Sequence, residues 1–281
     1  MTPDSPLVST EWLAEHLDAP DVRIADASWY LPQAERDAKA EYRSAHIPRA
    51  VFFDIDELSD EKCGLPHMLP PAAKFASRMR RLGLGDGNLI VVYDGAGIYS
   101  SPRAWWMLRA MGHEDAVVLD GGLPKWRREG RPLEYLIPNP YRRHFTPRPN
   151  HALVRNFEQM LANLKSRNEQ VIDARGGPRF RGEEEEPRPG VERGHIPGSK
   201  NVPYPEIVEE DGSLKSSEAL ARIFRLRDID WRKPVVTTCG SGITAAIDLL
   251  ALTVLGAKNG GLYDGSWAEW GGRADAPKER A

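Results

Sequence analysis

Four short motifs occur twice in this chain, in the same order, and that recurrence constrains the fold more than any local propensity does. Arg23-Ile24-Ala25-Asp26-Ala27 is matched by Val171-Ile172-Asp173-Ala174, and His46-Ile47-Pro48 by His195-Ile196-Pro197. Residues 89–98, Leu-Ile-Val-Val-Tyr-Asp-Gly-Ala-Gly-Ile, are matched by 235–243, and Asp120-Gly121-Gly122 with Trp126 by Asp264-Gly265-Ser266 with Trp270. The offsets are 147, 149, 145 and 144 residues. Chance similarity does not keep order and spacing together, so the chain is a tandem duplication. Each half alternates short apolar strands with helical stretches, such as 102–111 and 245–255, which predicts two tandem α/β domains, each a mainly parallel sheet flanked by helices. A length of 281 residues with 41% hydrophobic residues supports two cores of about 130 residues each. The expected divisions are 1–137 and 153–281, joined by 138–152, where Pro138, Pro140, Pro147 and Pro149 exclude a helix.

The bulk numbers remove several classes of function. A net charge of −3, from 38 basic and 41 acidic residues, argues against nucleic acid or an anionic membrane as a partner. Two cysteines, Cys63 and Cys239, are too few for a disulfide framework or a cysteine-based zinc site. The first residues lack a basic flank and an apolar core, and no apolar run approaches the roughly 18 residues that span a bilayer. A reduced, cytoplasmic setting is expected.

The chemistry concentrates at Cys239. It ends the strand signal Val235-Val236-Thr237-Thr238 and precedes Gly240-Ser241-Gly242, which leads into a helix. Glycines let successive amides curl inward, and the helix start adds the positive end of its dipole, so both favour S⁻. A free cysteine is only about 3% thiolate at pH 7, and each pKa unit of lowering is worth roughly 1.4 kcal/mol. An open α/β sheet also places ligands at the carboxyl ends of its strands. The first half has Asp94 at the equivalent position, so only the second half carries a sulfur nucleophile.

A phosphatase loop needs an arginine six positions after the cysteine to hold phosphoryl oxygens, and Ala245 stands there. A Cys-His protease or acyltransferase stays open, because seven histidines are available and such pairing is spatial. His46 and His195 read as turn elements ahead of Pro48 and Pro197. Cys63 reads as an inert surface thiol, with an oxidisable loop thiol as the alternative.

On the Cys239 loop and the repeat, the chain resembles the tandem-domain rhodanese family of sulfurtransferases over nearly its whole length, and within it the 3-mercaptopyruvate sulfurtransferases. That family has an inactive first rhodanese-like domain and a catalytic second one, in agreement with Asp94 against Cys239. Cys239-Gly240-Ser241-Gly242-Ile243-Thr244 is similar to the subgroup's Cys-Gly-Ser-Gly-Val-Thr, with isoleucine for valine. Thiosulfate-preferring members carry a basic Cys-Arg-Lys-Gly-Val-Thr loop instead. The resemblance implies that Arg179 and Arg188 bind substrate, and planar guanidinium groups do suit a carboxylate beside a carbonyl. Without it they read as solvated charges balancing residues Glu183 to Glu186.

The resemblance further implies that Asp56 and His67, from the first half, join Ser241 at the active site. Read alone, Asp56 is a capping or surface carboxylate and His67 a loop histidine. The implied reaction takes sulfur from 3-mercaptopyruvate through a Cys239 persulfide, cradled by Gly240, Ser241, Gly242, Ile243 and Thr244, to a thioredoxin-like dithiol protein or cyanide. No metal or organic cofactor is implied. Alternatives on the same scaffold are a thiosulfate sulfurtransferase and a non-enzymatic persulfide carrier.

Overall fold

The computed structural model describes residues 3–280 and contains two compact units. The first comprises the chain up to Ser59, Pro70–Asn150 and Glu209–Leu214. Its elements are β1 (Leu7–Val8), α1 (Thr10–Glu15), β2 (Val22–Asp26), α2 (Ala38–Ser44), β3 (Val51–Phe52), α3 (Ala72–Arg81), β4 (Leu89–Tyr93), α4 (Ser101–Ala110), β5 (Ala116–Leu119) and α5 (Gly122–Arg128). The five strands pair in the order β1-β5-β4-β2-β3, every pair parallel. All five residues of β4 are buried, as the unbroken Leu-Ile-Val-Val-Tyr run requires of a central parallel strand covered on both faces. On one face Ile24, Val91, Tyr93 and Leu119 pack with Leu13 of α1 and with Leu123 and Trp126 of α5.

The second unit comprises Asp60–Leu69, His151–Val208 and the chain from Lys215. Its elements are β6 (Val154–Arg155), α6 (Phe157–Ser166), β7 (Gln170–Asp173), α7 (Gly177–Arg181), β8 (Lys200–Asn201), α8 (Ser217–Arg225), β9 (Val235–Thr238), α9 (Ala245–Val254), β10 (Gly260–Tyr263) and α10 (Ser266–Trp270). The parallel strand order β6-β10-β9-β7-β8 is that of the first unit, element for element. Asn156 caps α6 through a reciprocal box with Gln159. Val171, Val236, Tyr263, Trp267 and Trp270 form the core on one face, and α9, buried at its first eight positions, lies along β9 and β10.

The duplication extends to a pair of segments that each belong with the other half of the sequence. Asp60–Leu69 packs in the second unit, where Leu69 N–H donates to Asp264 Oδ2 at 2.8 Å. Glu209–Leu214 packs in the first, where Leu214 N–H donates to Asp120 Oδ1 at 2.8 Å. Thus the repeated Asp-Gly motif holds the same kind of segment in each unit. The histidine pair is equivalent too: His46 Nδ1 bonds Tyr42 O and His195 Nδ1 bonds Phe180 O, each at 2.8 Å.

The proline-rich stretch has neither helix nor strand from 138 to 150, yet it is anchored to the first unit rather than spanning open space. Phe145 is fully buried against Phe75, and Asn150 N–H donates to Ala110 O. Proline removed helical hydrogen bonding there, and one aromatic side chain supplied the attachment.

Candidate active site

The site grows from the register of the central strands. Asp173 of β7 lies opposite Thr238 of β9, so the chain leaves the sheet at Cys239 with its sulfur at the carboxyl end of a central strand. Cys239 is 2% exposed. Its N–H donates to Ser266 Oγ at 3.3 Å, its carbonyl accepts from Trp267 N–H, and the Gly240 carbonyl accepts from Ala268 N–H, both at 2.9 Å. The start of α10 therefore fixes the backbone of the nucleophile. Gly242 turns the loop with φ +80, a conformation that costs glycine nothing.

The first unit shows what this loop geometry can hold. Asp94 is wholly buried, and its carboxylate accepts from the amides of Ala96, Tyr99, Ser100 and Ser101 and from the Ser101 hydroxyl, at 2.7 to 2.9 Å. Gly97, at φ +109, is the counterpart of Gly242. The turn is an anion cradle, and in the first unit it is filled by its own side chain.

Two arginines frame the second loop. A methyl group on Gly240 would stand 3.4 Å from Arg179 Nη2 and 3.8 Å from Arg188 Nη1. Arg179 lies on α7 and is bridged to Glu186. Glu186 also takes Arg175 Nη1 at 2.8 Å, and Arg175 in turn clasps Asp173 with Nη2 at 2.7 Å and stacks over Trp267. Arg188 is half-buried; burial holds its pKa below the usual arginine value, while the charge on Cys239 draws it back up. Arg181 pairs with Glu183 and is exposed.

His67 arrives on the Asp60–Leu69 segment, and its Nδ1 is 3.0 Å from Ser241 Oγ. Its φ is +60, in the left-handed region. The equivalent first-unit residue is Gly212, at φ +86 against Gly97. Ser266 repeats this pattern: it holds φ +49 where the first unit has Gly122 at +50. The second unit thus places functional side chains at two backbone positions that favour glycine, and such strain collects at working sites.

Of the residues singled out from sequence, Cys239, Ser241, His67, Arg179 and Arg188 all belong to the second unit, as do loop residues Gly240, Gly242, Ile243 and Thr244. Asp56 belongs to the first; it is exposed and accepts Trp29 Nε1–H at 3.0 Å. Sequence reasoning missed Arg175, Glu186 and Ser266. Glu186 was grouped with a solvated acidic run, but its side chain is only 3% exposed because two arginines neutralise it. Glu186→Ala would leave Arg175 short of a partner in a buried site. Because Arg175 keeps Asp173, the variant is expected to lose about 1–3 kcal/mol of unfolding free energy, read by urea denaturation.

Known proteins resemble this chain over nearly its whole length. The profile of the rhodanese-like domain matches residues 9–129 and 156–273. The 3-mercaptopyruvate sulfurtransferase of Escherichia coli K12 is 47% identical over 277 residues, covering 97% of each chain. The human 3-mercaptopyruvate sulfurtransferase is 44% identical over 274 residues, covering 95% of this chain and 92% of that one. The crystal structure of SseA from Escherichia coli superposes with a TM-score of 0.86 at 44% identity, covering 94% of this chain and 99% of that one.

Proposed function

Because this chain belongs to the rhodanese family, we propose that it is a 3-mercaptopyruvate sulfurtransferase whose nucleophile is Cys239. The observation that carries the assignment is the pair of guanidinium groups over Gly240, one residue from the sulfur. A 2-oxo acid offers them a carboxylate and a carbonyl, and fixing both aligns the substrate's own sulfur with Cys239.

In this reading the Cys239 thiolate attacks the substrate sulfur, an S–S bond forms, and the C–S bond breaks with its electron pair passing to the enolate of pyruvate. The proton on the outer sulfur moves to the enolate carbon through Ser241 and His67, whose 3.0 Å contact supports a relay. Pyruvate leaves and an anionic Cys239 persulfide remains. By comparison with the filled cradle around Asp94, the amides of Ser241, Thr244, Ala245 and Ala246 are its donors. Cyanide takes the outer sulfur as thiocyanate. A dithiol protein takes it as a persulfide, then closes its own disulfide and expels hydrosulfide. The family resemblance alone assigns Asp56 to this relay. The two free cysteines support a reduced, cytoplasmic setting.

Mixing the protein with 3-mercaptopyruvate alone is the test. One added sulfur on Cys239 by mass spectrometry, with an equivalent of pyruvate, is expected. Pyruvate without the added mass would overturn the persulfide, and faster turnover of thiosulfate at equal concentration would overturn the substrate.

A further inference from the structure

Asp248 stands nine residues after Cys239, in the first turn of α9. Carboxylates in that turn ordinarily face the amide end of the helix and solvent. This one is wholly buried, and neither carboxylate oxygen has a hydrogen-bond partner. The first unit has Arg103 at the equivalent place, also wholly buried, 4.3 Å above the Trp106 ring. The repeat with a carboxylate at the nucleophile position therefore carries a cation here, and the repeat with a thiol carries an acid.

The groups that act on Asp248 are Cys239 from the loop, Asp173 from the end of β7, Glu206 from the turn before α8, and Arg227 after α8. Arg227 is the one cation among them, and it is already committed to Glu206 and the Asn201 carbonyl. An ionised carboxylate without hydrogen bonds or a free counter-ion is expelled from such a place or takes up a proton. Burial holds the Asp248 carboxyl well above the usual carboxylate range, and the charge on Cys239 adds to the rise.

We propose that Asp248 works as a neutral carboxylic acid in the first turn of the helix that follows the Cys239 loop, a positioning residue whose retained proton favours the thiolate. Losing that proton places a second negative charge toward the sulfur and disfavours S⁻; by reciprocity, S⁻ keeps the proton on Asp248. The folded chain then holds a proton that the unfolded chain releases above about pH 4. Stability consequently falls as pH rises from there toward the pKa of folded Asp248, and Asp248→Asn removes that slope.

The functional half of the proposal rests on Cys239 as the nucleophile, but the measurement does not need turnover. Infrared spectra at pH 7 are expected to show a protonated-carboxyl band in the wild type that is lost in Asp248→Asn and equally in Asp248→Leu. In Cys239→Ser the same band is expected to titrate about one pH unit lower, since no thiolate opposes ionisation. Alkylation of wild-type Cys239 by iodoacetamide is expected to show an alkaline inflection that Asp248→Asn lacks. Absence of the band at pH 7 overturns the neutral acid. Equal midpoints in wild type and Cys239→Ser, including a band that survives in both to the highest pH the fold tolerates, overturn the coupling. Failure of pyruvate release with the band intact would instead count against the sulfurtransferase reading.

Discussion

Cys239→Ser is expected to reduce pyruvate release from 3-mercaptopyruvate by at least about 10⁴-fold in kcat/KM, equivalent to roughly 5 kcal/mol of transition-state stabilisation. The serine hydroxyl is essentially un-ionised at neutral pH and is a poor nucleophile toward sulfur, so neither the attacking anion nor the S–S bond is available. The backbone that aims the residue is untouched, because Ser266, Trp267 and Ala268 hold residues 239 and 240 through main-chain groups. The loss is therefore chemical and leaves the loop in place. Nor does the first unit offer a substitute, since its cradle is closed by Asp94 and its histidine position is Gly212. Steady-state pyruvate assays and the mass of the protein after substrate addition both read the outcome. Activity retained within tenfold would remove Cys239 from the mechanism.

The parts of this protein that sequence discloses are those that depend on local pattern and on repetition. β4 and β9 are legible because β-branched runs end at a glycine turn, and the nearly constant offset ties each element to its counterpart. α4 and α9 begin and end within a residue or two of the stretches expected from apolar pattern. What stays hidden depends on which groups meet in space. Glu186 sits in a run of four glutamates whose composition predicts solvation, and only the approach of Arg175 and Arg179 makes it a buried bridge. His67 lies in the first half of the sequence, and only the packing of Asp60–Leu69 onto the second unit brings it to Ser241. Its left-handed backbone has no sequence signal of its own until Gly212 is recognised as its counterpart. Asp248 is concealed for the opposite reason: an acid in the first turn of a helix is ordinary in sequence, and its burial without partners is what sets it apart.

Arg188→Ala is expected to lower kcat/KM for 3-mercaptopyruvate by about 10²–10³-fold, chiefly through KM, or roughly 3–4 kcal/mol. Of the two framing arginines it should be the more costly. Arg179 shares its charge with Glu186, whereas no carboxylate bridges Arg188 among the described residues, so in the proposed mechanism its guanidinium is available to the substrate carboxylate. Arg188→Lys is expected to recover less than tenfold, because an ammonium keeps the charge but loses the planar fork that registers two oxygens at once. The cation also lies within electrostatic reach of Cys239, which gives it a second, smaller effect. Alkylation of Cys239 by iodoacetamide, which needs no carboxylate grip, should therefore slow by only a few-fold in the alanine variant. That contrast separates the two roles: a large loss with substrate and a small one with iodoacetamide assigns Arg188 to substrate alignment, while equal losses would make it a support for the thiolate. Unchanged kinetics with both reagents would return Arg188 to a solvated loop charge and leave substrate binding to Arg179.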